Sequence, residues 1–264
     1  NLSGFNLVNY WARNADNLLI GKLYSSYDLG IYSRAYKLLL LSLNLISGIF
    51  GTVLYPSLKK YETEGGDIRS EYASILGIIS LINYPVGAIL ILFPEIFVKI
   101  LWGADWMMVA ELLPYFGLLI FFQTMISTTG HMFILLEKEK LFMQVGIVTS
   151  VLMVAAIAWG ALYSMVMVAV AYTFCFMIVI VPINIYFGFI KAFGYPWKFI
   201  LSFWLPKIII GIAILVTIYL SIILWQVIFM ALLLAHILYY QRNDLGKLAG
   251  VVQRRVSNKN SKFV

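Results

Sequence analysis

Charge is scarce in this sequence, and acid is scarcer than base. Of 264 residues only 12% are charged, with 19 Lys and Arg against 12 Asp and Glu. So few charges cannot solvate a folded domain of this size. Hydrophobic residues make up 62% of the chain, where globular proteins hold roughly 45–50%, and mean hydropathy is +0.91. A soluble single domain is excluded. Cysteine is almost absent: Cys175 stands alone inside an apolar run, so the chain can form no internal disulfide and no Cys-based metal or redox motif. GxxxxGK[ST], HExxH and clustered Cys/His ligands are missing, which leaves no phosphate loop and no metal centre to read. No pair of carboxylates is spaced for acid and base work in a pocket, and an enzyme is disfavoured. The first residue is Asn1, and neither a basic region nor a small-residue cleavage site precedes the first apolar run. That run is therefore not a signal peptide, and the expectation is a fragment.

What the sequence has in abundance is apolar runs long enough to cross a bilayer, which takes about 20 residues as helix. Eight are predicted, making an all-α polytopic membrane protein: Gly4–Leu23, Ile31–Pro56, Ala73–Phe97, Val109–Leu136, Leu141–Leu162, Ser164–Phe189, Ile200–Tyr219 and Ser221–Tyr240. Pro85 lies mid-span in the third, where its missing N–H and its ring predict a kink. The fourth carries the polar run Gln123, Thr124, Ser127, Thr128, Thr129, Gly130, and a departure from helix is expected at Thr129-Gly130. A polar tail of 24 residues, Gln241–Val264, ends the chain.

Basic residues decide the expected orientation, because Lys- and Arg-rich connections stay cytoplasmic. Lys59, Lys60, Arg69, Lys138, Lys140, Lys191, Lys198 and the six cations of the tail all fall in alternate connections, whereas the opposite connections hold only Lys22 and Lys99. The tail and the start of the first span are accordingly expected in the cytoplasm. The net charge of +7 is thus a topology signal, and the tail is expected to meet anionic lipid rather than nucleic acid.

Four cations remain within or beside spans, and there each needs a reason, since a charge at a span centre costs about 2.5–3.5 kcal/mol on insertion scales. In the first span Asn6, Asn9, Arg13, Asp16 and Asn17 share one arc of about 100°, so this face meets protein or water. Arg13 and Asp16 either neutralise each other at i and i+3 or serve function, Asp16 as an ion-coupling residue. In the second span Arg34, Lys37, Asn44, Gly48, Gly51 and Tyr55 share another such arc. Two cations a turn apart with no acid in the same helix predict an anion site. The competing reading is that both snorkel to headgroups or that Asp28 pairs with one of them. Gly48 and Gly51 read as close-packing positions, and Gln123 and Ser127 as polar lining or as interhelical hydrogen-bonding groups. His131 is a proton-relay candidate, His236 a weaker one, against the commoner packed role.

The stretch NADNLLIGKLYSSYDLGIYSRAYKLL (Asn14–Leu39), followed by VLYPSLKKY (Val53–Tyr61), LWGADW (Leu101–Trp106) and STTG with a short basic turn (Ser127–Lys140), resembles Wzx-type polysaccharide flippases. These form the lipopolysaccharide exporter group of the multidrug/oligosaccharidyl-lipid/polysaccharide exporter superfamily. Beyond residue 140 only the hydrophobic spans correspond. The resemblance implies two six-helix lobes around a central cavity plus two further helices, of which this chain would hold residues 1–190 as the second lobe, 191–240 as the last pair and 241–264 as a basic tail. It further implies a substrate, undecaprenyl-diphosphate-linked oligosaccharide, moved by alternating access for O-antigen, capsule or exopolysaccharide synthesis. Arg34 and Lys37 would bind the diphosphate with Arg13 assisting, and Asn9, Asn17, Asn44, Gln123 and Ser127 would line the cavity. No cofactor is implied beyond H⁺ or Na⁺ coupling. The implied partners are the bilayer, the first lobe, a polysaccharide polymerase and glycosyltransferases. The alternatives are an ion-coupled drug or metabolite exporter of the same superfamily and a non-transporting subunit of a polysaccharide assembly complex. A membrane polymerase would want a large outer loop, and Glu95–Met108 is short.

Overall fold

The computed structural model describes residues 14–240, and every regular element among them is helical. Helix α1 covers 14–23. Ser25 then caps α2 (Ser26–Ile49) in a reciprocal box: the Asp28 amide donates to Ser25 Oγ at 3.1 Å, while the Ser25 amide and hydroxyl donate to the Asp28 carboxylate at 3.1 and 2.7 Å. Asp28 is therefore engaged at the cap rather than paired with Arg34 or Lys37, because a carboxylate satisfies the orphan N–H groups of a first turn.

The chain does not leave helix at Pro56. A wide turn, Phe50–Leu54, leads into α3 (Tyr55–Thr63), and Asp67 caps α4 (Ile68–Leu92). The connection expected after the second span is thus helical except at 64–67. Beyond α4, the expected loop Glu95–Met108 holds α5 (Pro94–Leu101) and most of a 3₁₀ helix, Ala104–Glu111. Then come α6 (Leu113–Ser127), a break at Thr128, α7 (Thr129–Leu135) and α8 (Glu139–Gly160). Ser164 caps α9 (Met165–Cys175), which runs through α10 (Val181–Asn184) to Ala192. The last elements are α11 (Trp197–Phe199), α12 (Leu205–Tyr219) and α13 (Ile223–Tyr240). Seven helices among the described residues are long and apolar enough to span a bilayer, matching the expected spans from the second to the eighth. The first is described only from Asn14 onward.

Three of these spans widen to π geometry at a common place. The turns Phe50–Leu54, Phe176–Ile180 and Ile200–Trp204 each end two residues before a proline: Pro56, Pro182 and Pro206. In each, the residue just after the turn donates its N–H to the carbonyl five back: Tyr55 to Phe50, Val181 to Phe176, Leu205 to Ile200. A proline ring clashes with the carbonyl four residues earlier and cannot donate to it; the wide turn moves that carbonyl aside and keeps the rod continuous. Pro85 has no such turn, and α4 runs as helix across it from Ile68 to Leu92.

Within the bundle α6 is the central rod. It packs against α2, α4, α9 and α12 and buries nearly its whole length, from Leu113 to Ile126. Its crossing with α4 is close because glycine meets glycine: a Cβ on Gly87 would lie 2.8 Å from the Gly117 carbonyl oxygen. Small residues let membrane helices approach this way. Around the crossing, Asn83 Nδ2 donates to Thr124 Oγ1 at 2.6 Å, and the hydroxyls of Tyr72 and Thr128 share a 2.8 Å bond. On the outside, Val151, Ile100, Ile223 and Leu224 are 60–76% exposed, the surface that lipid covers in a multi-pass membrane protein.

The connections sort to two ends. The Tyr24 hydroxyl donates to the Ala161 carbonyl at 2.8 Å and the Tyr27 hydroxyl to that of Asp105 at 3.4 Å, which gathers three alternate connections at one end. At the opposite end Tyr195 donates to the Arg69 carbonyl at 2.6 Å, and Arg69 Nη1 to that of Gly194 at 3.0 Å.

Candidate functional site

Helix α2 presents the polar arc expected of it, and most of that arc is open. Lys37, Asn44 and Gly48 are exposed; Arg34 and Gly51 are half-buried. Its two ends are covered by rings. The His131 ring lies 5.0 Å from Phe50, stacked, and a Cβ on Gly51 would lie 3.5 Å from His131 Cε1; this histidine is a packed ring. At the other end the Arg34 guanidinium carbon sits 3.3 Å over the centre of the Trp106 ring. Among the described residues neither Arg34 nor Lys37 meets a carboxylate: the ion pairs are Lys59–Glu62, Lys60–Glu64 and Arg69–Asp67.

Arg34 is the eighth residue after Ser26, about 12 Å along the axis at 1.5 Å per residue. At that depth an unpaired cation demands water, protein or a ligand. A guanidinium offers five N–H donors in one plane, and a phosphate accepts two of them side by side. The pair Arg34 and Lys37, one turn apart on an open face, can chemically hold a diphosphate.

Asp16 is elsewhere and closed. Only 1% exposed, it accepts from the Tyr32 hydroxyl at 2.9 Å and from the Asn17 amide at 2.8 Å, while Asn17 Oδ1 takes the Ser33 hydroxyl at 3.0 Å. These bonds join α1 to α2 beneath the arc. Arg13 and Asn9 lie outside the described residues.

Gln123 and Ser127 line a groove of about 260 Å³ together with Ser47, Thr149, Ser150 and Asn184. Among the described residues no charged side chain lines it. Most of its hydroxyls that bond at all donate to backbone carbonyls of their own helix, Ser127 to Thr124 at 2.8 Å and Thr149 to Val145 at 2.8 Å, and so keep oxygen lone pairs for a donor in the groove. Gln123 spans to α9, where its Nε2 donates to the Tyr172 hydroxyl at 3.1 Å. The polar run in the fourth span is thus divided: Thr124 and Thr128 bond to α4, whereas Gln123, Ser127, Thr129 and Gly130 face the groove. Asn44, expected beside them, is not among the groove's lining residues; it is exposed on the open arc with Lys37 and Gly48.

Sequence reasoning missed two features. Trp106 was legible only as part of LWGADW, and nothing in its spacing shows that it reaches Arg34. Glu95 and Glu111 line one cavity of about 580 Å³ with Tyr115, Ser221 and Gln226, brought together by α5 and the 3₁₀ helix. The remaining intramembrane cation, Lys207 on α12, is fully buried; its Nζ donates to the Phe203 carbonyl at 3.0 Å and lies 3.6 Å over the Phe203 ring, so an aromatic face supports it. Among the described residues no three His, Cys, Asp or Glu side chains gather as a metal site would need.

The helices, their lipid-facing surface and their polar arc define a multi-pass all-α membrane protein. Residues 1–111 match a family described as polysaccharide biosynthesis protein. The chain is 25% identical over 134 residues to the teichuronic acid biosynthesis protein TuaB of Bacillus subtilis (strain 168), covering 51% of this chain and 27% of that one. It is 24% identical over 210 residues to the lipopolysaccharide biosynthesis protein WzxC of Escherichia coli (strain K12), covering 78% and 42%. It is also 20% identical over 170 residues to an uncharacterized membrane protein in the cps region of Klebsiella pneumoniae, covering 64% and 35%. The chain therefore spans less than half the length of these relatives. No solved structure matches it. The similarity to Wzx-type proteins read from Asn14–Lys140 is borne out.

Proposed function

We propose that this chain is the second lobe and last helix pair of a flippase that moves undecaprenyl-diphosphate-linked oligosaccharide across the bacterial cytoplasmic membrane. The division is residues 1–190, 191–240 and a basic cytoplasmic tail at 241–264. The observation that carries this reading is the open arc of α2, where Arg34 and Lys37 have no acidic partner among the described residues. Two cations held in the membrane without counter-charge suit a doubly phosphorylated lipid, and the uncharged groove behind Ser47 suits its hydroxylated sugars. The names of the relatives, teichuronic acid and lipopolysaccharide biosynthesis, agree with such a cargo.

The arc faces a cavity shared with the first lobe, and rocking of the two lobes exposes it alternately to each side. The protein acts as a carrier rather than an enzyme, working beside a polymerase and glycosyltransferases. A cation exporter would turn unpaired acids to this cavity; Asp16 is instead enclosed by Tyr32 and Asn17. Arg34→Ala in the complete transporter is expected to cut surface polysaccharide to below about a tenth, since hydrogen bonds to charged groups are worth about 1.5–3 kcal/mol, with membrane levels of the protein unchanged on immunoblot. Normal surface polysaccharide in that variant overturns the diphosphate assignment.

A further inference from the structure

We propose that Trp106 is a positioning residue for Arg34, so that a side chain in the connection after α5 sets the affinity of the α2 arc for phosphate. The inference rests on the reading of that arc as a diphosphate site. A guanidinium can be held in two ways. A carboxylate holds it by its edge and uses the N–H donors that a phosphate would need. An aromatic ring holds it by its face and leaves those donors free. Here the second way is used: Arg34 Cζ lies 3.3 Å over the indole, and the guanidinium makes no ion pair among the described residues.

The indole is itself held. Tyr27 stacks on it, with ring centres 6.3 Å apart and planes inclined by 27°, and the Tyr27 hydroxyl donates to the Asp105 carbonyl at 3.4 Å. Gly30 lies beneath the ring, where a Cβ would come 3.8 Å from Trp106 Cζ3. Tyr27, Gly30 and Arg34 follow at helical spacing along one face of α2, and Lys37 continues that face by one turn. The indole thus closes one end of the arc and fixes the arginine at it. Restricting a long, flexible side chain before the ligand arrives reduces the ordering cost of binding.

The test is a double-mutant cycle on the full chain reconstituted in lipid nanodiscs, with farnesyl diphosphate as the probe and inorganic pyrophosphate and farnesol as controls for headgroup and tail. Trp106→Leu is expected to weaken farnesyl diphosphate binding about three- to tenfold, the range a cation–π contact supplies, and to have no further effect once Arg34 is alanine. Trp106→Phe, which keeps a weaker ring face, is expected to lose about two- to threefold and carries the test if the leucine variant fails to accumulate. If Arg34→Ala weakens binding but the Trp106 variants do not, or if they weaken it equally without Arg34, the positioning role is wrong and the phosphate reading stands. If Arg34→Ala leaves binding unchanged, both fall. Farnesol binding as tight as farnesyl diphosphate also overturns both, because tail and not phosphate would then be recognised.

Discussion

Arginine 34 and aspartate 16 show how two intramembrane charges of one sequence pattern part company once neighbours are known. Both lie on polar helical arcs, and both carry the same nominal insertion cost of about 2.5–3.5 kcal/mol. Asp16 receives a phenol and an amide and disappears into the joint between α1 and α2; Arg34 receives a ring face and keeps its donors. Neither fate follows from spacing, because Tyr32 and Trp106 belong to other elements. At the other end of the bundle a single hydroxyl does comparable joining. Tyr195, buried beside Phe189 and Phe199, donates to the Arg69 carbonyl, and burial holds its phenol well above the ordinary tyrosine value. A raised phenol favours folding while it is protonated, so this contribution is present below about pH 10 and declines as pH rises beyond it. Tyr195→Phe is expected to lower stability by about 1 kcal/mol at neutral pH, and the difference from the parent should shrink at alkaline pH; thermal unfolding in detergent at both pH values measures it.

At the scale of elements, the lengths and order of the spans were legible from hydropathy alone, while their interruptions were legible only in part. The polar run around Thr128 announced the α6–α7 break to within a residue, since Ser and Thr hydroxyls can satisfy freed carbonyls; Thr128 Oγ1 donates to the Met125 carbonyl at 2.8 Å. Pro85, Pro56, Pro182 and Pro206 look alike in sequence, yet three are preceded by wide turns and one is not. What each helix buries was not legible, because in an apolar chain the inner and outer faces have the same hydropathy. Small and polar residues mark the inner face instead, as at Gly87, Gly117, Asn83 and Thr124. Gly87→Ala should destabilise by about 1–3 kcal/mol through overpacking at the α4–α6 crossing, read as a fall in melting temperature; an alanine variant as stable as the parent would show that the two helices can separate without cost.

For the whole molecule, the alternation of connections agrees with the count of basic residues. The end where Arg69 meets Gly194 gathers Lys59, Lys60, Lys191 and Lys198, and the end where Tyr27 meets Asp105 lies beside the Arg34 ring contact. With Cys175→Ser as background, Glu64→Cys is expected to resist a membrane-impermeant maleimide in intact cells and Asp105→Cys to react. The reverse labelling would invert the orientation and put Trp106 on the cytoplasmic side. Both positions are exposed, so the outcome reads sidedness rather than burial.

By itself the sequence determined that this protein lives in a bilayer, how many times its described part crosses, and which helix turns cations along one face. These follow from free energies that are local: transfer of apolar segments into lipid, the cost of isolated charge, and helical periodicity. Only the tertiary structure decided that α6 is the centre, that Asp16 is enclosed, that Gln123 and Ser127 share a groove apart from Asn44, and that an indole from a distant connection carries Arg34. Such pairings depend on packing between elements remote in sequence, where shape and hydrogen-bond geometry choose among faces that lipid transfer energy leaves equivalent.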